Sequence, residues 1–180
     1  MNAISTALRP EELRPRVTQL AGDLLHLVSV APRPVDLVSC FALPLPVHTA
    51  FAVLGVPPED ADRLYALAVT GRTAEAAGLV PTQGDVAITL VTATSRIATA
   101  LAGVLFSLVR QPERWPELGA DPAAIVSLAE SFSEPLVRLH VEVALETLSK
   151  GLPGAPRLAV PAEWLGSADG RPPARLPVLW

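Results

Sequence analysis

The chain has 180 residues, of which half are hydrophobic, 18% are charged and only 4% are aromatic, and its formal net charge is -4. This composition excludes a disordered chain and predicts one packed domain over residues 1–180, with a core built mainly from Leu, Val and Ala. Because no run of Lys or Arg is present, the sequence also argues against nucleic acid as a partner.

The number of cysteines and the N-terminal residues indicate in which cellular compartment the protein is expected. Cys40 is the only cysteine, so no intrachain disulfide can form, and "MNAISTALRPEELRPRV" lacks the apolar stretch of a signal peptide. We therefore expect a cytoplasmic protein. The apolar segment 86–109 contains Arg96 near its middle, where burial in a bilayer would cost about 2.5–3.5 kcal/mol. That cost favours a helix of a soluble bundle over a membrane span.

The first half of the chain reads as helices separated by proline. Segment 11–30 carries apolar residues in steps of three and four, which predicts one buried helix face: Leu13, Val17, Leu20, Leu24 and Leu27. Asp36 is placed to cap a second helix, which passes Pro44 and Pro46 and ends at Gly55. A further helix is predicted to begin at residues 57–58.

The second half is also helical. Asp85 is predicted to cap a long apolar helix that ends near Arg110 and forms the most buried element, and short helices follow at 112–118 and 120–132. Segment 135–150 carries a clear apolar stripe, consisting of Val137, Val141, Ala144, Leu145 and Leu148. Its solvent face offers two opposite-charge pairs four residues apart, Arg138 with Glu142 and Glu146 with Lys150. With at most a short β-pair near the C-terminus, the fold class is all-α.

Several segments, taken in order, resemble the cytochrome P450 family. They are "LRPEELRPRVTQLAGDLL", "FALPLPV" with "LGVPPEDADRL", "LVTATSRIATALAGVLFSLVRQPERWPEL", "SFSEPLVRLHVEVALETL", and "LAVPAEW" with the terminal "LPVLW". The resemblance covers most of the chain. It implies a helical bundle derived from the P450 helical core.

The resemblance also shows that this chain lacks residues that the family uses for haem chemistry. The family's ligand loop, Phe-x-x-Gly-x-x-x-Cys-x-Gly, has no counterpart here, and in one register Ser131 falls at the position of the thiolate cysteine. A second register instead places residues 129–144 near the family's Pro-rich turn. Ser95 and Arg96 occupy the places of the acid–alcohol pair, and Cys40 lies in the wrong segment. The comparison with the family therefore implies a protein without haem or any other cofactor.

Few side chains suggest chemistry of their own. His26, His48 and His140 have no second ligand at metal spacing and are expected to be surface or cap histidines. Ser95 and Ser131 have no His or Asp nearby in the sequence to activate them. We predict no catalytic, cofactor-binding or metal-binding residue.

Arg96 is the one charged residue in an apolar helix. A buried cation is costly unless it is paired, so a structural ion pair with an acidic residue such as Asp62 or Glu142 is the simpler interpretation. The alternative is an anchor for a small acidic ligand. The sequence leaves both interpretations open.

Two functions follow from the resemblance. Some P450 homologues that lack the haem cysteine bind and activate or stabilise a glycosyltransferase of antibiotic biosynthesis, so the first hypothesis is a non-catalytic helper protein with a glycosyltransferase as its partner. Apolar helix faces left uncovered would equally favour a homo-oligomer. The second hypothesis is a cofactor-free cyclase or isomerase that uses the former P450 cavity.

Overall fold

The computed structural model describes residues 9–57, 60, 63, 84–164 and 173–180, with the backbone alone for residues 84–92. The described α-helices are α1 (Pro10–Val30), α2 (Pro44–Val53), α3 (Gly84–Val109), α4 (Trp115–Ala120), α5 (Pro122–Glu130) and α6 (Pro135–Gly151). A π-helical turn, Val38–Ala42, precedes α2, and a 3₁₀ turn, Pro112–Arg114, precedes α4. The predicted all-α class is confirmed. The helix predicted to begin at residues 57–58 falls largely outside the described residues.

Three short strands form a small antiparallel sheet in the order β1 (Val35–Asp36), β3 (Pro177–Leu179), β2 (Arg157–Leu158). Val35 pairs with Val178, and Leu158 pairs with Val178 from the other side. The predicted C-terminal β-pair is therefore incomplete, because residues near the middle of the first half supply a third strand. Short strands with no alternating pattern give a sequence no signal for such a distant partner.

Helix α1 is amphipathic, but its buried face differs in part from the predicted stripe. The buried residues are Val17, Ala21, Leu24 and Val28, while Leu13 and Leu20 are half-buried. Leu27 is 60% exposed and so lies outside the core. The predicted stripe and the observed buried face both follow steps of three and four residues. The spacing therefore allows either Leu27 or Val28 in the last turn, and the prediction took the larger side chain.

The π-helical turn and α2 follow the predicted path through Pro44 and Pro46. The helix ends in a Schellman motif, in which the Val56 N–H donates to the Phe51 carbonyl at 3.0 Å and the Gly55 N–H donates to Ala52 at 3.3 Å. Gly55 has a φ of 68°, which a residue without a Cβ adopts without strain. The predicted stop at Gly55 is confirmed.

Helix α3 begins at Gly84, so Asp85 lies inside the helix and not at its cap. Over residues 93–109 the helix buries one face, with Leu101, Leu105 and Leu108 in the core, and it exposes Ser95 and Ser107 on the other. The prediction that α3 is the most buried helix is therefore wrong for the residues whose side chains are described. Ser95, Thr99 and Ser107 mark a solvent face, which the many apolar residues of the segment conceal in the sequence.

Helix α6 is the central helix of the described bundle and contacts α1, α3, α4 and α5. All five residues of its predicted stripe are buried, and so are Leu139, His140 and Val143 outside that stripe. At its end, a Cβ added to Gly151 would collide with the Leu25 side chain of α1. The Leu25 side chain thus packs directly over Gly151, and a larger residue there would require Leu25 to move.

The acidic residues of α6 serve the helix packing. Arg14 of α1 pairs with Glu142 and, at 3.6 Å, with Glu146. The predicted partner of Glu142, Arg138, instead donates from its Nε to the Phe132 carbonyl at 2.6 Å. The charges predicted to pair along the helix surface thus join α6 to its neighbours.

His140 is buried between α6 and α2, so the expectation of a surface or cap histidine is wrong for this residue. Its Nδ1 lies 2.8 Å from the Leu136 carbonyl, and its Nε2 lies 3.3 Å from the Thr49 hydroxyl oxygen, which also lies 2.8 Å from the Leu45 carbonyl. Burial lowers the pKa of His140 from 6.5 to about 4, with the bond to Leu136 acting in the opposite direction. The imidazole is therefore neutral at pH 7, with its proton on Nδ1.

Asp36 joins the sheet to the bundle. Its Oδ1 accepts from the Val38 N–H at 3.1 Å and from the Leu176 N–H at 2.8 Å, and its Oδ2 accepts from the Ser39 hydroxyl at 2.9 Å. Arg175 lies 3.5 Å away on the exposed side. The predicted capping role is confirmed, since Val38 opens the π-helical turn, and the same carboxylate also holds the C-terminal strand.

We expect Asp36→Ala to lower the free energy of unfolding by about 2 kcal/mol, because it leaves the N–H groups of Val38 and Leu176 without an acceptor. Glu163→Ala is the matched control. It removes only the exposed pair with Arg175, which we expect to contribute at most about 1 kcal/mol. Urea unfolding at pH 7 measures both variants. Equal losses would show that the Asp36 carboxylate acts only as a surface charge.

The lowered pKa of His140 gives a pH dependence with a definite sign. The unfolded chain binds a proton near pH 6.5 and the folded chain near pH 4, so this term is fully present above pH 6.5 and is lost as the pH falls towards 4. The loss is on the order of 3 kcal/mol. His140→Gln should flatten this part of the curve when urea unfolding is followed from pH 7.5 to pH 4.5.

His26→Gln is the control for the His140 variant, because His26 is exposed on α1. It should retain the slope of the parent protein. A His140→Gln variant that also retained that slope would assign the acid sensitivity to other groups.

Candidate functional site

An open groove of about 540 Å³ runs along the second half of α3. Its lining residues come from α3, from the turn that follows it, and from α5 with its C-terminal extension: Thr99, Ala100, Gly103, Val104, Phe106, Ser107, Leu108, Gln111, Arg114, Leu128 and Phe132. Its floor follows from the sequence of α3, where Ala100, Gly103 and Ser107 recur at steps of three and four and share one face. Small side chains on that face leave the space open.

Phe106 forms one wall of the groove and is held from two sides. The Trp164 ring packs edge to face on it at a centroid distance of 5.4 Å, and the Arg110 guanidinium carbon lies 5.7 Å from its centroid. Leu128 and Phe132 form part of the opposite side. The walls are thus apolar and aromatic.

The lining of the groove has one charged side chain, at one end. Arg114 lines that end and is half-buried, and no described carboxylate lies within ion-pair distance of it. Gln111 beside it offers an amide. The lining therefore combines a long apolar surface with a single cationic end.

Arg96 lies outside this groove and is not buried. Its side chain is 63% exposed and pairs with Glu134, the residue before α6. Of the partners predicted for it, Glu142 pairs with Arg14, and Asp62 lies outside the described residues. The structural interpretation is thus supported with a different partner, because α3 turns Arg96 towards solvent and not towards the core.

The remaining predicted residues are not brought together. His26 is exposed on α1, His48 packs edge to face on Phe51 at 6.3 Å, and His140 is in the core. Ser95 is exposed, and the Ser131 hydroxyl donates to the Leu128 carbonyl at 2.7 Å. Within the described residues, no three His, Cys, Asp or Glu side chains lie close enough to hold a metal ion.

The residues present do not fit a thiolate-ligated haem. Cys40 lies on the π-helical turn, half-buried, with its Sγ 3.8 Å from the Ser39 hydroxyl. The groove lining contains no Cys, His, Met or Tyr, the side chains that ligate haem iron in proteins. Ser131, at the thiolate position in one register of the resemblance, is committed to the backbone of α5.

The groove itself was missed by sequence reasoning. Its one readable signal is the small-residue spacing from Ala100 to Ser107, which is equally common in tightly packed helices. Leu128 and Phe132 join the site only through the tertiary contact of α5 and its extension with α3. No local pattern predicts that contact.

Among the described residues, no single helix is long and apolar enough to cross a membrane. The segments Ala93–Val109 and Pro112–Ala120 meet the length and composition criteria only as a pair bent by 99°.

The sequence has known relatives, although no family model matches it. It is 45% identical over 58 residues to mycinamicin IV hydroxylase/epoxidase of Micromonospora griseorubida. The matched segment is 32% of this chain and 15% of that protein. It is 34% identical over 83 residues to cytochrome P450 CYP105Q4 of Mycobacterium marinum, which is 46% of this chain and 20% of that protein. The matched segments thus span a minor part of these relatives.

Solved structures with the same fold cover almost the whole chain. The mixed-function P450 MycG superposes with a TM-score of 0.77 at 21% identity, over 95% of this chain and 74% of that chain. Cytochrome P450 MoxA of Nonomuraea recticatena gives 0.73 at 18% identity, over 96% and 72%. Segment identity and fold agree: the chain is similar in sequence to cytochromes P450 over less than half of its length, and it has the fold of part of the P450 helical core.

Proposed function

We propose that the chain works without haem, as a P450-like helper protein that binds and activates or stabilises another enzyme, namely a glycosyltransferase of natural-product biosynthesis. The observation that carries the proposal is the donor set. The one cysteine, Cys40, is half-buried on a helical turn, and the groove lining offers no other iron ligand. A protein with this fold but without a ligand for iron can still act by binding another protein through its surface.

The relatives support the setting of the proposal. Two of them are named for antibiotic chemistry, mycinamicin IV hydroxylase/epoxidase and nocardicin C N-oxygenase of Nocardia uniformis subsp. tsuyamanensis, the latter 47% identical over 55 residues. Both names describe enzymes that modify a natural product. A helper protein in such a pathway would act on a partner enzyme and not on the product itself.

The surface supports a protein partner. Leu27 and Val30 of α1 are 60% and 67% exposed and lie three residues apart on one helix face. The groove along α3 exposes a second apolar surface, bounded by Phe106 and Phe132. Apolar side chains exposed next to each other are available for contact with a protein partner.

The groove gives little support to the alternative of a cofactor-free cyclase or isomerase. Such reactions need a positioned acid or base. The polar groups among the groove's lining residues are two hydroxyls, one amide and the Arg114 guanidinium, with no carboxylate or imidazole. His140 does not fill this role, because it is buried, does not line the groove, and has a pKa lowered to about 4, too low for an effective base at neutral pH.

We expect the protein purified from haem-supplemented cells to show no stoichiometric Soret absorption. Added to the glycosyltransferase encoded in the same gene cluster, it should raise the rate of glycosyl transfer at least tenfold, which corresponds to about 1.4 kcal/mol. Absorption spectra and a product assay measure the two effects. Cys40→Ala is the control and should leave the stimulation unchanged, since no step depends on the thiol.

Two results would contradict the proposal. One is stoichiometric haem whose spectrum changes in Cys40→Ala. The other is a folded protein that binds the glycosyltransferase neither in sedimentation nor in co-purification and does not alter its rate.

A further inference from the structure

We infer that the groove along α3 is a docking site for an acidic amphipathic helix of a partner protein. This deepens the proposed helper function by assigning the surface that the partner occupies and the chemistry of the segment that occupies it. Four features of the described residues carry the inference. They are the length of the groove, its floor, its walls and the charge at its end.

The length of the groove fits a helix. It extends from Thr99 of α3 to Gln111 in the turn that follows α3, about 18 Å at 1.5 Å per residue, or three helical turns. A groove that is open along three turns and holds about 540 Å³ accepts several side chains in a row. Apolar anchors on adjacent turns of a docked helix have this arrangement.

The floor permits close approach of a second backbone. Ala100, Gly103 and Ser107 have at most two heavy atoms in their side chains, and a Cβ added at Gly103 would meet no atom within 4 Å. Glycine at this position is therefore not required by the packing of the described protein. The space above it is available to another molecule.

The walls and the end set the chemistry of the occupant. Phe106, Leu128 and Phe132 offer apolar contact along the groove, while Arg114 presents a half-buried guanidinium with no described carboxylate in range. A partner helix with a Glu or Asp at the corresponding end would form a charge-assisted hydrogen bond in a partly desolvated place. An acid in this position would also set the direction in which the helix lies.

A second copy of the chain fits the groove less well. The large apolar residues that the described helices expose most are Leu27 and Val30 of α1, which span one turn, and Val126 of α5. None of these sets fills three turns. None of the described helices therefore matches the groove, and we take its occupant to be a helix of a different protein.

Designed peptides test the inference without the glycosyltransferase. A fluorescent helical 15-residue peptide with Leu and Ala on one face and Glu at the end that meets Arg114 should bind in an anisotropy titration. A peptide with Lys in place of Glu, and a scrambled peptide, should bind at least tenfold more weakly. Gly103→Leu fills the groove and should weaken binding of the acidic peptide at least tenfold, while its melting temperature stays equal to or above that of the parent.

Arg114→Gln should remove the preference for the acidic peptide over the Lys peptide while retaining residual apolar binding. Val126→Ala, on an exposed part of α5 outside the groove lining, is the matched control and should bind as the parent does. The inference is overturned if Gly103→Leu is folded and binds as the parent does, or if the acidic peptide has no advantage. It is also overturned if sedimentation shows a dimer that Gly103→Leu dissociates.

The two proposals fail separately. Peptide binding that depends on Gly103 and Arg114, together with an unaffected glycosyltransferase, would retain the docking site and remove the named partner. Stimulation of the glycosyltransferase that persists in Gly103→Leu would retain the helper function and place its contact elsewhere.

Discussion

The described structure depends on the burial of α6. A helix with neighbours on most of its circumference must satisfy the polar side chains of its buried face within the protein, since water cannot reach them. His140 does so against Leu136 and Thr49, and the carboxylates at the edges of the helix meet Arg14. The Leu25 side chain of α1 also packs over Gly151 at the end of α6. The positions of α1, α3 and α5 all follow from the faces that α6 presents, and the groove lies where α3 and α5 diverge from each other.

The sequence predicted the structure well where a local signal is sufficient, such as buried residues that recur with the period of a helix. The stripe of α6 and the stop at Gly55 are local signals, because helical periodicity and a left-handed glycine need no distant partner. The prediction failed where the spacing allows two residues equally, as with Leu27 and Val28. It also failed where contacts between distant segments determine which residues are buried or paired. The third strand of the sheet belongs to the second kind, since Val35 finds Val178 across the length of the chain.

The candidate site could not be predicted for a related reason. Arg96 attracted interest because its neighbours are apolar, yet a charge within an apolar segment shows only that the helix has a charged face, not where that face points. Once α3 is packed, Arg96 faces solvent and pairs with Glu134, while the open surface lies on later turns around Gly103. The resemblance to the P450 family correctly supplied the fold. The groove appears only when α3 and α5 are placed in space.

The carboxylate of Asp36 has a consequence for the order of folding. Its bond to the Leu176 N–H spans 140 residues, so the loop that it closes is longer than any helix-to-helix connection within the described bundle. Closing a loop costs entropy that grows with its length, and local contacts form before distant ones. The α1–α2 and α5–α6 contacts can form while the sheet is still open. The sheet and the α1–α6 packing, whose Arg14–Glu142 pair spans 128 residues, close loops of similar length, so both depend on bringing together parts of the chain that are distant in sequence.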